Sequence, residues 1–138
     1  MKRDVGFKMN KIALAGCAII ENNALLLLYR TKRGWYELPG GKIDITESPS
    51  SAAQREIQEE LCCTITILDS WGKKDFEEDG YTMTYHWFLA RINPGEVPKV
   101  GEPEKFDHFK FINLNSLERY PLSPNMKNFV RELKSKLP

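Results

Sequence analysis

The order of apolar patterns along this 138-residue chain predicts an α+β fold with a mixed β-sheet lying between helices. Two observations carry that expectation. Short apolar, β-branched or aromatic runs stand before and after a helix-patterned segment. That segment and a second one near the C-terminus both open on Ser-Pro, at Ser48-Pro49 and Ser123-Pro124. The length suits one domain, residues 1–138, with a genuine core.

Taken in order, a polar start precedes Ile12 to Ile20, an almost continuously apolar run that ends at Glu21-Asn22-Asn23. It predicts a buried strand and a turn; a second strand is expected from Ala24 to Tyr29, the pair forming a hairpin. Thr31-Lys32-Arg33-Gly34 reads as a basic loop, Trp35 to Leu38 as a short extended segment, and Pro39-Gly40-Gly41 as a turn. Ser48 can cap free amides, and Pro49 at the first helical position loses no hydrogen bond. The helix should run to about Leu61, with Ala53, Ile57 and Leu61 as its buried stripe. Thr64 to Leu68 and Tyr81 to Ile92 are rich in strand formers, and Lys73 to Gly80 is expected to be a charged loop between them. An irregular loop from Asn93 to Pro103 leads to a last strand, Phe106 to Leu114, with Phe109 and Phe111 on one face. Met126, Phe129, Val130, Leu133 and Leu137 mark a closing amphipathic helix.

Composition excludes several roles. Twenty basic and nineteen acidic side chains give a net charge of +1, so no global field draws the chain to a nucleic-acid polymer, a membrane or a polyanion. The run Ala24 to Leu28 is far too short to span a bilayer, and the N-terminus lacks a signal-peptide pattern; a soluble, cytoplasmic protein is expected. Cys17, Cys62 and Cys63 form no Cys-x-x-Cys pair and have no nearby His, which points to reduced thiols in or near the core.

The chemistry concentrates in Arg55-Glu56-Ile57-Gln58-Glu59-Glu60. Glu56, Glu59 and Glu60 fall within roughly 100° of one helix face. Such like-charge neighbours cost about 0.2–0.5 kcal/mol per pair, and they stand near the helix C-terminus, where the macrodipole disfavours anions. A hard divalent cation with oxygen ligands is the natural neutraliser. Upstream, Gly40 and Gly41 remove side chains, so a backbone carbonyl can approach an ion or phosphate closely.

Gly41, five residues, Glu47, seven residues, then Arg55-Glu56-Ile57-Gln58-Glu59-Glu60-Leu61-Cys62-Cys63 resembles the signature of the Nudix hydrolases. Cys62 stands where that signature has glycine. The resemblance implies a Nudix-like α/β/α sandwich and hydrolysis of a nucleoside diphosphate linked to another moiety. It implies Mg²⁺, with Mn²⁺ as an alternative, held by Glu56, Glu59 and Glu60 and by the carbonyl at Gly40. Arg55 would be an orienting residue, Gly41 a structural part of the loop, and Glu47 a brace between loop and helix. The general base would be Glu59 or a carboxylate of a distant loop, Glu102 or Glu104, with Glu104 ahead. Such ions would bridge diphosphate oxygens and lower the pKa of a bound water.

The expected substrate is a small nucleotide: a nucleoside triphosphate or a modified, for instance oxidised, dNTP cleaved to monophosphate and pyrophosphate. ADP-ribose and dinucleoside polyphosphates are the alternatives, and a non-catalytic nucleotide sensor is a third. All three glutamates are present, which favours catalysis. Monomer and homodimer are both open.

Plainer readings stand beside these. An acidic helix face is ordinarily just solvated. A non-glycine residue at position 62 is tolerated at about 1–2 kcal/mol if left-handed. Asp75-x-Glu77-x-Asp79-Gly80 is similar to the start of a calcium loop, but its twelfth position is His86, so a solvated acidic loop bordering the site is expected. His86 and His108 read as packing residues. Trp71 and Trp87 read as core, and Trp35 and Tyr81 are the candidates for a nucleobase pocket.

Overall fold

Strands β1 (Lys11–Glu21) and β2 (Ala24–Arg30) read as unbroken apolar runs because both of their faces are covered. On one face Ala15, Cys17 and Ile19 of β1 and Leu26 and Leu28 of β2 pack with Ala53, Ile57 and Leu61 of helix α1 (Pro49–Leu61). On the other, Ala18, Leu25 and Leu27 pack with Met126, Phe129, Val130 and Leu133 of helix α2 (Pro124–Lys136). This two-sided burial is the expected layering of a sheet between helices. The coordinates are a computed structural model, describing residues 11–136; the polar start and Leu137 lie outside the described residues.

The remaining strands are β3 (Trp35–Glu37), β4 (Gly40–Lys42), β5 (Ile65–Glu78), β6 (Tyr81–Ile92) and β7 (Phe106–Asn113). Among the described residues they complete a seven-stranded mixed sheet in which β1 runs parallel to β6, from Lys11 opposite Thr82 to Ile19 opposite Ala90. The other edge of β1 pairs antiparallel with β4, Leu14 opposite Lys42 and Gly16 opposite Gly40. Strand β2 pairs antiparallel with β7 along its length and with β3 at its end. The β1–β2 turn forms as expected on left-handed Asn22 (φ 50) and Asn23 (φ 62), yet only Ile20–Leu25 and Glu21–Ala24 are paired. Beyond those pairs β4 occupies the edge of β1, so the hairpin splays.

Two expectations are corrected. Gly40-Gly41 is a strand rather than a turn, because β1 offers it a backbone edge. Lys73 to Gly80 is not a loop: β5 continues to Glu78 and turns at Asp79 (φ 52) and Gly80 (φ 82) into β6. Its polar residues hid a genuine alternation. Phe76 stacks on Tyr85 and Lys74 reaches Glu132 of α2 at 3.4 Å, while Asp75 and Glu77 accept cross-strand bonds from the Thr84 and Thr82 hydroxyls. A 3-10 turn at Leu114–Arg119, which the sequence pattern did not indicate, joins β7 to α2.

The expected helix ends, buried thiols and aromatic packing are seen. Ser48 accepts from the Ser51 amide at the start of α1, and the helix stops at Cys62 in a left-handed conformation (φ 54, ψ 37). Cys17 and Cys63 are buried free thiols, and burial, with Glu60 nearby, pushes Cys17 up to about 12. Trp71 and Trp87 pack on Phe129. His108 stacks on Tyr29, with its Nε2 2.8 Å from the Tyr36 hydroxyl. No helix among the described residues is long and apolar enough to cross a membrane.

Candidate active site

Strand β4 and helix α1 are built to touch. A side chain at Gly41 would put its Cβ 2.5–2.7 Å from the Glu56 carboxyl group, so glycine there lets that carboxylate lie against the strand. Gly40, at φ 153, has no room for a Cβ either, because the Ala15 carbonyl and Gly16 Cα (2.6 Å) occupy the space. Its amide donates to Glu60 Oε1 at 2.8 Å.

Glu60 is only 3% exposed. Burial holds its carboxyl well above the usual range; the Gly40 amide opposes this, and Glu56, Glu37 and Glu102 add to it. Glu56 is raised too, by burial first, against hydrogen bonds from Arg55 and with Glu59 and Glu102 nearby. Glu59 is the half-exposed member.

Arg55 ties this face to the preceding loop. Its Nε donates to Glu47 Oε2 at 2.6 Å and its Nη2 to Glu47 Oε1 at 2.9 Å and to the Lys42 carbonyl at 3.0 Å. Its Nη1 meets Glu56 Oε2 at 2.9 Å and Glu59 Oε2 at 3.3 Å. The fork-to-fork pair lowers Glu47 to about 2, helped by a bond from the Asp44 amide, and raises the guanidinium. Gly40, Gly41, Glu47, Arg55, Glu56, Glu59 and Glu60 thus share one small volume.

The two distant-loop carboxylates are placed differently. Glu104 is exposed and faces Arg30, Lys32 and Lys105. Glu102 is the one turned inward: its Oε1 is buried without a hydrogen-bond partner among the described residues, its Oε2 is 3.6 Å from Lys105 Nζ, and its charge is felt at Glu56 and Glu60. Spacing alone could not separate two glutamates that flank a proline.

A cavity of about 270 Å³ has Gly40 and Gly41 in its wall, while Glu56, Glu59 and Glu60 do not line it. Trp35 lines it. Tyr81 does not, standing 40% exposed on the β5–β6 hairpin, where Glu78, Met83 and Tyr85 face the cavity instead. Sequence patterns also missed Arg30, Glu37 and Asn125 in this wall. Arg30 makes a bidentate pair with Glu37 (2.7 and 2.8 Å), which also accepts from the Trp35 indole at 2.9 Å, and the Arg33 guanidinium sits 5.5 Å over the Trp35 ring. Only a polar residue inside the extended run Trp35 to Leu38 hinted at Glu37; nothing local marked Arg30 or Asn125.

The donor chemistry fits a hard cation. Carboxylates and a strand carbonyl, with no sulfur or imidazole, suit Mg²⁺ or Mn²⁺, and the buried Oε1 of Glu102 accepts no hydrogen bond among the described residues. Among the described residues no His, Cys, Asp or Glu side chains form a ready-made cage, since Arg55 and the Gly40 amide engage the three glutamates. Half-exposed Glu59 is the side chain most able to turn.

This fold and this loop-helix motif define a Nudix domain. A family model described as NUDIX domain matches residues 11–133, and the chain belongs to that family, as a Nudix hydrolase. Among its relatives is the 8-oxo-dGTP diphosphatase of Escherichia coli (strain K12), 29% identical over 114 residues, which cover 78% of this chain and 87% of that protein. The crystal structure of a MutT NUDIX hydrolase from Burkholderia pseudomallei superimposes with a TM-score of 0.80 at 26% identity, covering 88% of this chain and 97% of that one. A C. elegans Ap4A hydrolase shares the fold, with a TM-score of 0.73 at 21% identity over 90% of this chain and 96% of its own.

Proposed function

We propose that this chain is a Mg²⁺-dependent pyrophosphohydrolase of a nucleoside triphosphate or a modified, for instance oxidised, dNTP, releasing the monophosphate and pyrophosphate. One observation carries the reading: the Gly40-Gly41 strand is at once a wall of the cavity and the backing of Glu56 and Glu60. A nucleoside seated in the cavity therefore presents its phosphates to the carboxylates.

Glu56, Glu59 and Glu60, with the Gly40 carbonyl, would hold the ion; when bound, it supplies charge neutralisation at the diphosphate and acidifies a water. Arg55 holds Glu56 and Glu59 in place through its ion pairs, and Glu47 anchors Arg55 to the loop. Glu102, the loop carboxylate whose charge is felt at Glu56 and Glu60, would take the proton of the attacking water. Trp35, backed by Arg33, offers a face for the base. The similarity to an 8-oxo-dGTP diphosphatase supports a dNTP over other diphosphates. In this reading one domain performs the reaction in the cytoplasm.

The test is a kcat/KM panel of canonical and oxidised dNTPs, ADP-ribose and dinucleoside polyphosphates, with Mg²⁺ and with chelator. Pyrophosphate release from a dNTP is expected, lost with chelator and in a folded Glu59→Gln variant. Full turnover by that variant, or a preference for ADP-ribose, overturns it.

A further inference from the structure

The last carbonyls of a helix have no partner within the helix. In α1 the Gln58 carbonyl accepts from the Cys62 amide at 3.1 Å, but the last two carbonyls are served from far along the chain: Gly101 donates its amide to Glu60 O at 2.9 Å and Lys99 to Leu61 O at 3.0 Å. Residues 99–101 therefore seal the end of the helix that carries Glu56, Glu59 and Glu60.

The approach is close enough to demand a particular residue. A Cβ at position 101 would run into the Glu59 carbonyl and would stand 2.9 Å from Cys62 Sγ. Cys62, occupying the signature's glycine position, brings a side chain to this corner, and Gly101 leaves the space for it. On the far side, Lys105 and Phe106 donate their amides to Glu102 O at 2.9 and 3.0 Å. Glu102 thus hangs between two tethers, one of them the backbone of the acidic helix itself.

We propose that Gly101, by docking on the Glu59–Glu60 backbone, is the positioning residue that sets the Glu102 carboxylate against the acidic face of α1. Helix and loop then move as one piece, and the separation between Glu102 and the three glutamates is fixed without any side-chain bond. The inference rests on the role given to Glu102 above.

Four proteins test it: wild type, Gly101→Ala, Glu102→Gln and the double variant. A misplacement of about 1 Å costs on the order of 10²-fold in rate, so Gly101→Ala should lower kcat by one to two orders of magnitude on that scale while KM, set by the untouched cavity, stays within about threefold. In the Glu102→Gln background the same change should cost nothing further. In metal-free protein, the Lys99 and Gly101 amides should exchange with solvent faster in Gly101→Ala than in wild type.

An equal loss in both backgrounds overturns the inference, as does a wild-type kcat for Gly101→Ala when Glu102→Gln is crippled. Wild-type turnover by Glu102→Gln removes the role of Glu102 itself, a distinguishable failure. Should Gly101→Ala unfold, Lys99→Pro deletes one tethering amide without adding atoms at position 101; it should show a smaller kcat loss that also disappears in the Glu102→Gln background, and its persistence there refutes the coupling.

Discussion

Replacing Glu60 with Gln should make the metal-free protein more stable at pH 8 while abolishing turnover. The carboxylate is 3% exposed and its one hydrogen-bond partner among the described residues is the Gly40 amide at 2.8 Å. Desolvating an ion costs several kcal/mol after relaxation, against about 1.5–3 kcal/mol returned by a hydrogen bond to a charged group. A neutral amide keeps a bond of about 0.5–1.5 kcal/mol and removes the repulsion from Glu56, Glu37 and Glu102. The balance favours the variant by about 1–3 kcal/mol, or about 3–10 °C in Tm for a chain of this size. The pH dependence has a definite sign. A carboxyl raised in the folded state binds its proton more tightly there, so wild type is penalised as pH rises above the unfolded value of about 4.3. The gap between variant and wild type should therefore close towards pH 4. Thermal melts in chelator across pH 4–8 measure it. A variant less stable than wild type at pH 8, or a gap that widens on acidification, refutes the reasoning.

Glu47 behaves oppositely. Lowered to about 2 by Arg55, it stabilises the loop fully above its unfolded pKa and loses that contribution as pH falls through the folded value. Carboxyl NMR titration should show it returning to the ordinary range in Arg55→Met, and an unchanged titration would refute the pairing. Trp35→Ala should act mainly on KM, since stacking a base on an aromatic ring is worth about 1–3 kcal/mol, or roughly 5- to 150-fold; steady-state kinetics with an equal fall in kcat would speak against Trp35 as a base platform.

What could be read from the chain divides by distance along it. Helix α1, its Ser48 cap, its left-handed end at Cys62 and its acidic face all arise from residues within one or two turns of each other. The partners of Gly40-Gly41 do not: a glycine pair after proline looks like a turn until β1 is known to offer it an edge. Likewise the β5 arm needs Thr82 and Thr84 to show why Asp75 and Glu77 are strand residues. Glu102 and Glu104 differ only in which way the loop delivers them, and that depends on register between segments dozens of residues apart. Arg30 and Glu37 meet because β2 and β3 pair end to end, a fact no local pattern contains.

The parallel pairing of β1 with β6 also sets a timetable for the newborn chain. Every pair in that ladder joins residues 71 positions apart, as Lys11 with Thr82 and Ile19 with Ala90. At about 5–20 residues per second, ribosomes need roughly 4–14 s to make the partner of a strand already finished. Strand β2 waits longer still for β7, with Leu25 to Leu28 uncovered meanwhile. Synthesis therefore passes through an interval in which the future centre of the sheet is the stickiest surface available, and that interval is where chaperones would find this chain and where slowed translation would most readily turn it towards aggregation.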